Sequence, residues 1–68
     1  MDLDELGRII RERRESLKLK QEDLAEISQV AIKTLYAIEM GKANPSVQTL
    51  MKVLSVLGME MSAQTKKS

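Results

Sequence analysis

Two glycines mark off the second half of the chain, and the segments before them fit only one kind of element. Val30–Gly41 reads VAIKTLYAIEMG, and Ser46–Gly58 reads SVQTLMKVLSVLG. In both, apolar residues recur three and four positions apart, the spacing that gathers side chains on one side of a helix. Glycine takes the left-handed backbone that ends a helix, so Gly41 and Gly58 read as stops. Lys42-Ala43-Asn44-Pro45 forms the loop between the two segments, and Ser46 caps the second.

The first half follows the same rule. Asp2, with Glu5 three residues on, opens a helix to about Ser16 that gathers Leu6, Ile9, Ile10, Arg13 and Leu17 on one side. Leu17–Lys20 is a short connection. A second helix, about Gln21–Ser28, carries Glu22 and Asp23 in its first turn, where they favour the helix dipole. Its inward stripe is Leu24, Ala25 and Ile27. The third helix turns Ala31, Thr34, Leu35 and Ile38 inward, and the fourth, Val47–Leu57, turns in Val47, Leu50, Met51, Leu54 and Leu57. Beyond Gly58, Met59–Gln64 alternates apolar and polar residues, as a half-buried strand does. Lys66-Lys67-Ser68 is expected to fray.

A chain of 68 residues makes one domain with a small core, and oligomerisation is a common supplement at this size. Residues 1–58 form the helical domain and 59–65 a strand, with 66–68 as a tail. The lone strand needs a partner for its backbone groups, and Val53 and Val56 widen the fourth helix's apolar stripe onto a second face. A two-fold dimer answers both, with tails paired antiparallel and Val53, Val56, Met59 and Met61 at the interface.

Composition excludes whole classes of function. The chain has no cysteine and no histidine, so it lacks a disulfide framework, thiolate metal sites and the commonest general base. Its remaining polar groups form no nucleophile–base constellation; an enzyme is not expected, nor is a metal or cofactor. The acidic start, Met1-Asp2-Leu3-Asp4-Glu5, is unlike a signal peptide, and no apolar run approaches the ~20 residues a bilayer span needs. A cytoplasmic protein without membrane contact is expected. The net charge is only +1, yet Arg8, Arg11, Arg13, Arg14, Lys18 and Lys20 fall together against Glu12 and Glu15. That run reads either as an ordinary solvated helix face or as a weak footprint for a polyanion.

The second and third helices are short and separated only by residues around Ser28-Gln29-Val30, which is helix-turn-helix spacing. The outward face of the third helix carries Ile32, Lys33, Tyr36, Ala37 and Met40. Tyr36 is the only aromatic residue in the chain.

Gln21, Leu24-Ala25, Val30, Leu35, Ile38-Glu39, Gly41, Asn44-Pro45-Ser46, Leu50 and Leu57-Gly58 fall at ordered spacings over most of the chain. In these positions it resembles the phage-repressor-like (Xre, Cro/cI-type) helix-turn-helix family. The resemblance implies an all-α, four-helix, lambda-repressor-like domain, here with a short C-terminal strand pairing across a dimer. It also implies that Ile32, Lys33, Tyr36 and Ala37 face base edges in the major groove of double-stranded DNA. Lys33 is a donor for guanine O6 or N7, and the apolar pair suits thymine methyl groups. Gln21, Thr34 and Lys42 are the phosphate candidates, and Arg14 with Glu39 matches a structural ion pair that sets the angle of the reading helix. Three departures stand out. Gln29 occupies a turn position where the family commonly has glycine, and Lys20 and Ala31 replace the usual caps of the second and third helices.

The tail Gly58-Met59-Glu60-Met61-Ser62 and the start Leu6–Arg14 resemble HipB-type antitoxins. That likeness implies a homodimer that binds a palindromic operator, represses its own operon and holds a HipA-type kinase toxin. Two other readings use the same fold: a stand-alone regulator or restriction-modification controller, and a protein-interaction module without DNA binding, suggested by Ile32, Met40 and the low net charge.

Overall fold

A computed structural model describes residues 2–62 and places four helices in them: α1 (Leu3–Ser16), α2 (Gln21–Ser28), α3 (Ile32–Glu39) and α4 (Val47–Val56). α1 packs on α3, and α2 packs on both α3 and α4. The fully buried side chains are Ile10 from α1, Leu24 from α2, Leu35 and Ile38 from α3, Val53 from α4, and Leu57 just beyond it.

All four helices stop in the same way. One residue turns left-handed and two backbone N–H groups reach back to the last turn, as in a Schellman ending. The left-handed residues are Lys18, Gln29, Gly41 and Gly58, with φ of 59°, 59°, 73° and 70°. At α3, Gly41 N–H donates to Ile38 C=O at 3.1 Å and Lys42 N–H to Ala37 C=O at 2.9 Å. The two glycine stops are where the sequence puts them. Gln29 keeps the family's left-handed turn without the glycine, and Lys18 does the same at the end of α1. A left-handed residue with a Cβ costs roughly 1–2 kcal/mol.

The starts are less uniform. Asp2 Oδ1 accepts from Glu5 N–H at 2.8 Å, and Ser46 Oγ accepts from Thr49 N–H at 3.1 Å. Lys20 cannot cap α2 through its ammonium, but Asp23 reaches back to accept from Lys20 N–H at 3.0 Å, so half of a capping box survives. Ala31 gives α3 no side-chain cap.

All four inward stripes differ from the expected ones. In α4 the core residues are Leu50, Val53, Leu54 and, just past the helix, Leu57; Val47 and Met51 stand 62% and 57% exposed. Val53, expected at the dimer interface, is fully buried in the core of the single chain. In α2 the buried position after Leu24 and Ala25 is Ser28, whose hydroxyl donates to Leu24 C=O at 2.6 Å, while Ile27 is exposed. In α3, Leu35, Ile38 and Glu39 are buried, and Ala31 and Thr34 face out. Arg13 and Leu17, expected inward on α1, are exposed; the Arg13 Nε–H nevertheless donates to Leu57 C=O at 3.0 Å.

Met59–Ser62 has no strand structure among the described residues. Residues 63–65 of the expected pairing strand, and 66–68 of the expected tail, lie outside the described residues.

Candidate nucleic-acid interface

α2, the turn at Gln29 and α3 together form a two-helix unit, and its outer side is built by default from what the core leaves over. Leu35, Ile38 and Glu39 point inward. The helical period then turns Ile32, Lys33 and Tyr36 outward, with Met40 one turn beyond Tyr36. Ile32, Tyr36 and Met40 are 45%, 54% and 43% exposed, and Lys33 and Thr34 are also exposed. Ala37 is half-buried at the edge of the stripe. The structure thus brings the four expected base-facing residues onto one side of one helix.

The other end of α3 is clamped. Glu39 is almost wholly buried, and Arg14 grips it with both arms of its guanidinium: Nε–H to Oε2 at 2.7 Å and Nη2–H to Oε1 at 3.0 Å. The third arm of the fork, Nη1–H, donates to Leu19 C=O at 2.8 Å. Hydrogen bonding to the Glu39 carboxylate raises the Arg14 pKa above its ordinary value, against the opposing effect of burial. This is the expected ion pair, and it ties α1 to the end of α3.

The pair has a third member that sequence reasoning did not place there. Gln21 Nε2–H donates to Glu39 Oε1 at 3.1 Å. A carboxylate only accepts, so this contact fixes which way the Gln21 amide is turned. One N–H meets Glu39, and the second points away from it. Gln21 opens α2 and is half-buried, so it sits at the rim of the two-helix unit. Lys42 is exposed immediately after α3.

Gly7 is the other unforeseen participant. A Cβ there would lie 2.7 Å from Glu39 O and would also strike Ile38 O. The backbone of α1 therefore meets the last turn of α3 directly, one residue type deciding how close the two can come. Only a glycine inside a helical pattern hinted at this.

On a separate side of the molecule, a groove is lined by Val47, Met51, Leu54, Met59 and Met61. It adjoins a second groove that reaches Leu3, Leu6 and Ile9 of α1. Of the expected dimer residues, Met61 is exposed here, while Val56 and Met59 are half-buried against the core. Among the described residues, no helix is long and apolar enough to cross a membrane.

Comparison with known proteins agrees with this geometry. A family model described as Helix-turn-helix matches residues 10–63. An HTH-type transcriptional regulatory protein of Methanococcus maripaludis is 45% identical over 47 residues, and one from another strain of that organism is 47% identical over 47. The match takes in 69% of this chain but only 14% of each relative. The restriction-modification controller protein C.AhdI from Aeromonas hydrophila superposes with a TM-score of 0.82 at 31% identity, over 85% of this chain and 88% of that one. A point mutant of the controller protein C.Esp1396I gives a TM-score of 0.79 at 24% identity, over 88% of this chain and 80% of the other, and shares the fold. With most of its length inside the family match, and with α2 and α3 set as that family sets them, the chain belongs to the phage-repressor-like helix-turn-helix family.

Proposed function

We propose that the chain is a dimeric, sequence-specific DNA-binding repressor that acts in the cytoplasm and carries out no catalytic step. The observation that supports this best is the α3 stripe: Lys33 and Tyr36 presented outward on a helix whose far end is locked by Arg14 and Glu39. In this reading Lys33 donates to a guanine edge, and Tyr36, Ile32 and Ala37 line the groove beside it. Gln21 gives its second amide N–H to a phosphate, with Thr34 and Lys42 as further phosphate contacts. The homodimer forms through the groove of Val47, Met51, Met59 and Met61, and two copies of α3 then meet a palindromic operator.

The likeness to C.AhdI supports a regulator of the restriction-modification controller kind. An autoregulating antitoxin bound to a HipA-type kinase draws its support from the tail residues Gly58–Ser62 and the start Leu6–Arg14. Co-purification of a kinase-like neighbour's product separates the two. Lys33→Ala tests the shared core of both: operator affinity should fall by roughly 1–3 kcal/mol with the fold intact. Unchanged affinity would remove Lys33 as a reader. Loss of the steep fall of affinity with salt would remove the DNA-binding reading altogether.

A further inference from the structure

We propose that the α3 stripe reads the C5-methyl groups of pyrimidines, and therefore accepts 5-methylcytosine where it accepts thymine. This rests on the DNA-binding reading. α3 is IKTLYAIE and contains no Arg, Asn or Gln, the side chains that make paired hydrogen bonds to purine edges. Its outward hydrogen-bonding groups are the Lys33 ammonium and the hydroxyls of Thr34 and Tyr36. Ile32 and Met40, at 45% and 43% exposed, have no strong hydrogen-bonding group to offer a base.

An apolar side chain gains from a groove only where it covers apolar surface on the DNA. The major groove offers one such group on a standard base, the thymine methyl at C5. In 5-methylcytosine the same methyl stands at the same ring position, beside an N4 donor in place of the O4 acceptor. Where Ile32 or Met40 lies over the base, no outward group of theirs probes that difference. Thymine and 5-methylcytosine are then equivalent, and cytosine and uracil are both poorer. Lys33 within the stripe and Lys42 beyond it give the surface a positive flank, which suits the polyanionic duplex better than an apolar protein partner.

The test starts from a random duplex pool enriched on the full chain. The selected duplex is then remade at single thymidines with deoxyuridine opposite the same deoxyadenosine, or with deoxycytidine or 5-methyldeoxycytidine opposite deoxyguanosine. At one or more positions in each half-site, deoxyuridine should weaken binding about fourfold, the worth of one methyl-sized group. Deoxycytidine should weaken it at least as much, and 5-methyldeoxycytidine should restore it. Ile32→Ala, outside the core, should bring the thymidine-to-deoxyuridine ratio toward one. Equal binding of thymidine and deoxyuridine everywhere overturns the inference, as does a deoxyuridine loss that 5-methyldeoxycytidine never rescues. A pool that yields no enrichment is a different failure: it sinks the DNA-binding reading, and this inference with it.

Discussion

Replacing Arg14 with methionine removes the cation from one side of a carboxylate that has almost no access to water. The Glu39 carboxylate then retains one hydrogen bond, from the Gln21 amide at 3.1 Å, in place of three. Leu19 C=O loses its donor as well. Breaking a buried pair from one side costs about 3–5 kcal/mol, because the remaining charge stays desolvated. A domain of 68 residues has a total stability of roughly 3–10 kcal/mol. Arg14→Met should therefore remove a large part of the chain's stability. Arg14→Lys keeps the charge but not the fork, and should fall between the two. The decisive variant is Arg14→Met with Glu39→Met, which removes both charges and fills the space with apolar atoms. Replacing both members of a buried pair by apolar groups is often nearly neutral, so the double variant should recover most of what the single one loses. Urea denaturation followed by far-ultraviolet circular dichroism measures all three. If Arg14→Met costs less than about 1 kcal/mol, the pair behaves as a surface contact and the reasoning fails.

Other perturbations test the turns, the helix contact and the second face. Gln29→Gly and Lys18→Gly relieve left-handed strain at φ 59° and should each stabilise by about 0.5–1 kcal/mol, after the added freedom of the unfolded chain is subtracted; an unchanged or lower urea midpoint would contradict the strain. Gly7→Ala forces α1 away from the carbonyls of Ile38 and Glu39 and should destabilise by up to about 2 kcal/mol, the overpacking cost less the helix propensity of alanine. A neutral result in the same denaturation assay would mean that α1 and α3 separate freely. Met51→Lys puts a charge in the α4 groove, where Met51 is 57% exposed, and should shift the sedimentation profile toward monomer while the monomer stays folded; an unaltered profile would place the dimer contact elsewhere.

The helices were legible because caps and stops are local. Asp2, Ser46, Gly41 and Gly58 act on neighbours within four residues, and each does in the structure what its type suggests. Which side of a helix faces the core was less legible, since that depends on where the other helices lie. α4 is apolar on more than one side: Val47, Leu50, Met51, Val53, Leu54 and Val56 fit two overlapping stripes. Packing within the whole domain puts Val53 in the core and leaves Val47 and Met51 exposed. Ile27 and Ser28 show a second limit. Hydrophobicity favours Ile27 for the inside, but Ser28 is small and can return its hydroxyl to Leu24 C=O, so burying it leaves no donor unpaired. The Arg14–Glu39 pair was found through family likeness, whereas the Gln21 contact joins residues 18 apart in sequence and left no local mark.

The two ends of α3 are held by different means, and that division bears on the reading stripe. At the Glu39 end, Arg14 of α1 and Gln21 of α2 converge on one carboxylate, and Gly7 sits against the Glu39 carbonyl. At the Ile32 end there is an uncapped Ala31 preceded by a left-handed Gln29, together costing roughly 1.5–2 kcal/mol relative to a capped, glycine-containing turn. Burial of Leu35 and Ile38, worth about 1.5–3 kcal/mol each, offsets that cost and keeps the helix formed. Two of the residues that would touch bases, Ile32 and Lys33, thus lie in the uncapped first turn, and the clamp lies two turns away. Changes at the turn should act mainly on stability. Changes at Glu39 should act on stability and on the direction of α3 together, because the same carboxylate holds the helix to both of its neighbours.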